Sequence, residues 1–158
     1  FHTPGGKPVT SIGGMVVHPG GSIEALKAAD YDALVVVGSE NWSSPKAPDV
    51  SAALQAADSA GKVVGGICAG TLALARAGLM DARRHTSNSL DFLRQGAGGY
   101  RAWDLYSDTP VAVRDGALVT AAGSAPVTFT IEVLGALLPE AGEGLAQFKA
   151  MCAAELAA

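Results

Sequence analysis

The sequence is short of charge, of aromatic rings and of histidine, and each shortage removes a class of function. Only 16% of the 158 residues are charged and 6% are aromatic, with 3 histidines and 2 cysteines. The 11 Lys and Arg are scattered and outnumbered by 15 Asp and Glu, a net charge of −4, so no basic surface exists for nucleic-acid binding. Scattered histidines and one well-placed cysteine make no ligand set, so neither a metal nor another cofactor is expected. No P-loop is present, and no G-x-G-x-x-G follows a strand. No apolar run approaches membrane-spanning length, and no secretory pattern appears. Cys152 falls with Leu145, Phe148 and Leu156 on one helical stripe, which makes it a core residue and not a disulfide partner. Two free thiols in a reducing cytoplasm is the simpler expectation.

What the chain has in quantity is apolar residues (49%) and glycine (20 residues), the composition of a globular protein. The length suits one domain with one core, residues 1–158. The chain opens at Phe1 on a turn-rich segment, Thr3-Pro4-Gly5-Gly6-Lys7-Pro8, with nothing ahead of it to form a first strand and helix. The natural protein is therefore expected to extend further at its N-terminus.

Periodicity predicts a strand-and-helix alternation. Val9 to Ile12 and Met15 to Val17 flank Gly13-Gly14 as a hairpin. Ser22 caps a predicted helix through about Ala29. Asp32 to Val37 is a continuous apolar run, as expected of a parallel strand buried on both faces. Pro48 opens a helix with Val50, Ala53, Leu54 and Ala57 at i, i+3, i+4 and i+7. Lys62 to Gly66 is a short strand, followed by a helix to about Arg76. A short strand over Arg84 to Ser87 and a helix from Leu90 to Arg94 come next. Val111 to Thr120 reads as two strands around an Asp-Gly turn. Ser124 caps a helix that Pro139 ends, and a last amphipathic helix starts near Gly142. This alternation predicts an open, mostly parallel sheet covered on both faces, with its site at the carboxyl ends of the strands. Two loops are expected there, one after Val37 and one at Cys68.

Gly66-Ile67-Cys68-Ala69-Gly70 is the stretch richest in chemical meaning. A cysteine between glycines, after a strand and before a helix, is the layout of a nucleophile elbow with Cys in place of Ser. The tight turn forces strained backbone at the nucleophile and leaves no room for neighbouring side chains. It also sets the sulfur at a helix start, where peptide dipoles favour the thiolate. The alternative is a buried structural cysteine packed as a small hydrophobe. A thiolate nucleophile needs oxyanion donors, for which the backbone N–H groups of Ala69, Gly38 and Ser39 are candidates. Gly38-Ser39 equally suits an ordinary tight turn. For auxiliary groups the candidates are His85, Asn88 and Glu40. His85 has a structural strand histidine as its alternative reading, and Glu40 a solvated loop carboxylate. His2 reads as a solvated terminal residue and His18 as an edge residue, while Trp42 and Trp103 read as packing aromatics.

Several segments together resemble the ThiJ/PfpI family, within the class I glutamine amidotransferase-like superfamily. They are Gly66 to Thr71, Leu74 to Met80 and Arg84 to Asn88, with Asp32 to Gly38, Asp115 to Pro126 and Met15 to Pro19. The match runs in order from about Val9 to Leu138. The resemblance implies a flavodoxin-like three-layer α/β/α sandwich, a homodimer, and Cys68 as the reactive cysteine. It also implies a small-molecule carbonyl or amide substrate, with amidase, peptidase or deglycase-type chemistry. A stress-responsive thiol sensor or chaperone-like dimer without turnover is the other class of function it suggests. Synthetase-coupled amidotransfer is disfavoured, because no late His-x-Glu pair exists. Many peptidase-like members carry His directly after the cysteine, where this chain has Ala69. The acidic residue that hydrogen-bonds the family's cysteine belongs to the first strand, which lies upstream of Phe1 in this reading.

Overall fold

Four two-residue strands precede the core in the computed structural model, which describes residues 1–156. β1 (His2–Thr3) runs parallel to β4 (Gly21–Ser22), and β2 (Val9–Thr10) pairs antiparallel with β3 (Val16–Val17) as the expected hairpin. The core elements follow in chain order: β5 (Ala33–Val36), α1 (Ser51–Ser59), β6 (Val63–Ile67), α2 (Thr71–Arg76), α3 (Leu90–Gly96), β7 (Val113–Asp115), β8 (Leu118–Ala121), α4 (Pro126–Leu137) and α5 (Gly142–Leu156). The central sheet has the order β5-β6-β8-β7. Its first three strands are parallel, and β7 returns antiparallel to β8. The turn joining them uses Gly116 at φ 61°, a left-handed conformation that glycine adopts without a Cβ clash.

Two consecutive glycines show how β6 accepts a helix on each face. Successive strand residues point to opposite sides. A Cβ on Gly65 would lie 2.9 Å from the Phe129 ring of α4, and one on Gly66 would lie 2.9 Å from Leu74 Cδ2 of α2. Each missing side chain lets its helix settle close to the strand. One apolar cluster gathers Val64 and Leu118 with Leu54 of α1, Leu72 and Leu74 of α2, and Leu93 of α3. A second, on the other face, joins Val63, Val119 and Ala121 to Ala125 and Phe129. The result is the expected three-layer α/β/α sandwich with a mostly parallel sheet.

The structure departs from expectation in several places, the start of α1 among them, where Val50 is the N-cap and Pro48 lies ahead of the helix. Ser22 to Ala29 is not an α-helix but two single 3₁₀ turns, Ile23–Ala25 and Ala28–Asp30, separated where Leu26 and Lys27 are extended. So short a helix has little stability of its own. Val35 of β5 is 38% and the following Val37 58% exposed, so the apolar run is not covered on both faces. Arg84 to Ser87 makes only an isolated bridge, between His85 and Tyr106. The Thr86 N–H instead donates to the Thr120 hydroxyl at 2.9 Å, which replaces a ladder bond with a side-chain one. Ser124 does not cap α4, whose N-cap is Ala125. On α5, Leu145, Phe148 and the free thiol Cys152 are half-buried, so that stripe is a partly covered face; the Leu156 side chain lies outside those described.

Candidate active site

β6 delivers the chain into the middle of the sheet's carboxyl edge, and there the backbone turns sharply. Cys68 sits at φ 56°, and no other non-glycine residue among those described has positive φ. Such a conformation costs an L-residue about 1–2 kcal/mol. The 3₁₀ turn Cys68–Gly70 then leads straight into α2. Neighbouring contacts hold this turn in place. The Thr71 hydroxyl donates to the Cys68 carbonyl at 2.7 Å, and its oxygen lies 2.7 Å from Ser87 Oγ. With its own proton committed, Thr71 accepts that second bond from Ser87. Both residues are buried. A Cβ on Gly70 would run into the Val36 carbonyl, so glycine is required where the turn crosses the end of β5.

Three loops besides the elbow itself meet at the half-buried sulfur, where the strand pattern points only to the one after Val37. From the loop after β5, a Cβ on Gly38 would lie 3.0 Å from Cys68 Cβ and 3.5 Å from Sγ. From the loop after β8, a Cβ on Gly123 would lie 2.9 Å from Sγ. Both backbones therefore touch the cysteine directly. Asn88 completes the ring. Its Nδ2 donates to Sγ at 3.5 Å, and its Oδ1 accepts the Gly123 N–H at 2.9 Å.

The candidates from sequence divide on this geometry. Cys68, Ala69, Gly38 and Asn88 come together. The Ala69 N–H stands in the first turn, where N–H groups lack intrahelical acceptors. Ser39 is adjacent, but its hydroxyl accepts from the Asn41 N–H at 3.3 Å and caps the 3₁₀ turn Glu40–Ser43. The Glu40 side chain is exposed and makes no hydrogen bond or ion pair among the described residues. His85 is turned away from the sulfur. It is fully buried, with Nδ1 2.7 Å from the Arg83 carbonyl and Nε2 2.6 Å from Tyr100 Oη. Burial pushes its pKa below the usual 6.5, more than the bond to the Arg83 carbonyl raises it. A neutral ring then donates from Nδ1 and takes at Nε2 a share of the Tyr100 proton, which also reaches the Ala102 carbonyl at 3.1 Å. Burial likewise pushes the Tyr100 phenol up to about 12, so that proton is retained.

Gly123 and Thr71 were not singled out from sequence. Thr71 lies three residues past the cysteine, the spacing at which a hydroxyl reaches back to a carbonyl. Gly123 lies at the carboxyl end of a parallel strand, and that position was its only signal. Trp42 donates from Nε1 to the Val37 carbonyl at 3.0 Å and packs against the core, whereas Trp103 is exposed with Arg94 over its ring at 5.4 Å. The described residues include no group of three or more His, Cys, Asp or Glu able to hold a metal ion. No helix among them is long and apolar enough to cross a membrane. A cavity of about 630 Å³ runs beside β5 and is lined by Leu34, Val36, Val37, Trp42 and Leu54, with Cys68 outside it.

Comparison with known proteins agrees with this arrangement. Residues 2–136 match the model of the DJ-1/PfpI family. A Bacillus subtilis relative named uncharacterized protease YoaZ is 33% identical over 126 residues, covering 80% of this chain and 60% of the relative. The chain thus spans about three fifths of the length of that curated relative. A solved DJ-1 superfamily protein from Agrobacterium tumefaciens is 41% identical with a TM-score of 0.86, covering 95% of this chain and 81% of that one. A solved thiJ/pfpI family protein from Bacillus anthracis is 34% identical with a TM-score of 0.74, covering 82% of this chain and 61% of that one.

Proposed function

The chain belongs to the DJ-1/PfpI family, and on that premise we propose that it is a cysteine-dependent, hydrolase-type enzyme acting on a small carbonyl or amide. The observation that carries this reading is Cys68 itself, held at φ 56° between the ends of three parallel strands. A structural cysteine needs no such backbone, whereas a nucleophile gains an exposed sulfur at a fixed point.

In this mechanism the Cys68 thiolate adds to the substrate carbon, so an S–C bond forms. The C=O π pair moves onto oxygen, which the Ala69 N–H and the Gly38-Ser39 backbone are placed to receive. With an amide, the adduct collapses by expelling the amine, which takes a proton from solvent. Water then hydrolyses the remaining thioester. The naming of YoaZ as a protease supports the hydrolytic class.

Cys68→Ser, assayed against methylglyoxal and a chromogenic amide, is expected to abolish turnover; retained activity overturns the proposal. A different outcome would favour the thiol-sensor reading. The wild-type chain would then turn over neither substrate, while mild peroxide oxidised Cys68 well ahead of Cys152 by mass spectrometry. That reading draws support from the lack of any imidazole, carboxylate or amine bonded to the sulfur among the described residues.

A further inference from the structure

We propose that Asn88 is a positioning residue of this site, its amide N–H holding the Cys68 sulfur and favouring the anionic form. The proposal rests on the reading of Cys68 as the reacting group.

The orientation of the amide follows from its neighbours. Oxygen and nitrogen of an Asn side chain can exchange places by a half-turn, so the hydrogen-bond partners decide which is which. Here the Gly123 N–H, a donor only, faces Oδ1 at 2.9 Å. The NH₂ group is left facing Sγ at 3.5 Å. The reverse orientation would oppose two N–H groups at Gly123 and turn a carbonyl oxygen toward the sulfur. Both contacts would be lost together.

The support behind Asn88 is firm. Gly123 is pressed against the cysteine, since a Cβ there would lie 2.9 Å from Sγ. The two residues before Asn88 are tied to different elements, Thr86 N–H to Thr120 of β8 at 2.9 Å and Ser87 Oγ to Thr71 of α2 at 2.7 Å. One short segment thus grips both ends of the nucleophile: Ser87, through Thr71, holds the Cys68 carbonyl, while Asn88 holds the sulfur.

The charged and titratable groups nearby do not compete for this place. The Glu40 carboxylate, on the turn packed against the elbow, has no bond to the sulfur. His85 is occupied by Arg83 and Tyr100, and Tyr106 Oη lies 3.5 Å from the Ser87 carbonyl. A neutral amide donor differs from a histidine in one respect that matters. It stabilises the anion without a proton of its own to exchange, so its effect does not switch off as pH changes.

Asn88→Asp separates this role from a structural one. It keeps the oxygen that accepts from Gly123 and replaces only the donor facing Sγ, by an anionic acceptor. Iodoacetamide alkylation of Cys68, followed by mass spectrometry across pH with Cys152 as internal reference, reads the effect. Alkylation of Cys68 at neutral pH is expected to slow about tenfold in Asn88→Asp, as expected for loss of one charge-assisted bond. The rate–pH curve should move to higher pH while Cys152 and the circular dichroism stay unchanged. Asn88→Ala should show a smaller shift in the same direction, and it decides the matter alone if Asn88→Asp does not fold. Wild-type curves in the folded variants overturn the proposal. Alkylation needs no substrate, so this result stands apart from whether the enzyme assay above succeeds.

Discussion

Two stretches of this chain, residues 66–70 and 142–152, hold the same ingredients, glycine and a free, half-buried cysteine, and put them to opposite uses. Around Cys68 the glycines are demanded by contact: a Cβ on Gly66 would press on Leu74, and one on Gly70 would strike the Val36 backbone. In α5, Gly142 and Gly144 have nothing within 4 Å of where a Cβ would stand. Cys68 is touched by three loops and receives a hydrogen bond from Asn88, whereas Cys152 shares a partly covered helix face with Leu145 and Phe148. Both pair glycine with a free cysteine, and packing and backbone conformation distinguish them. Crowding that forbids a methyl group is what identifies the first stretch as a machined part of the molecule.

The largest test of this contrast is Gly70→Ala. The added carbon meets backbone, which cannot rotate away, so a loss of about 3 kcal/mol is expected. Thermal melting should show it as a fall of about 6–12 °C. An unchanged Tm would mean that the elbow has slack and that the comparison fails.

Acid provides a second, smaller test, because the segment bracing the elbow carries a buried histidine and α5 carries none. Burial holds the folded-state pKa of His85 below 6.5. The unfolded chain therefore takes up the proton first as pH falls, and stability drops below about pH 6.5 while remaining flat in this respect above pH 7. The Tm difference between pH 7.5 and pH 5 should be smaller in His85→Gln than in wild type. Equal differences would mean that His85 is solvated in solution.

The smallest effect has the opposite sign. Gly144→Ala removes backbone freedom from the unfolded chain without meeting any neighbour, so it should stabilise α5 by about 0.5–1 kcal/mol. A Tm that falls instead of rising would reveal a partner packed on that face.

The elbow and the sheet were legible in the sequence because both are written in local patterns. A glycine-flanked cysteine between an apolar run and a helical one, and Asp115-Gly116 between alternating strands, need no distant information. What escaped notice depends on residues far apart in the chain. His85 is fixed by Tyr100, and the tilt of Asn88 is fixed by Gly123, 35 positions later. The apolar run at 33–36 matches a strand covered on both sides, yet Val35 is 38% exposed, because how far a helix reaches over one face is not encoded in periodicity. Residues 23–30 carry apolar spacing but break into two short turns, because Leu26 and Lys27 extend the backbone between them.

One residue can also be judged by what would serve the fold better in its place. At position 68 the backbone suits glycine, so Cys68→Gly would relax the chain while removing the side chain's Cβ and Sγ and the bond from Asn88. Selection for folding alone would favour that exchange. The thiol is thus the one side chain in the elbow whose presence works against conformational ease, and its retention reports a demand that comes from outside the fold.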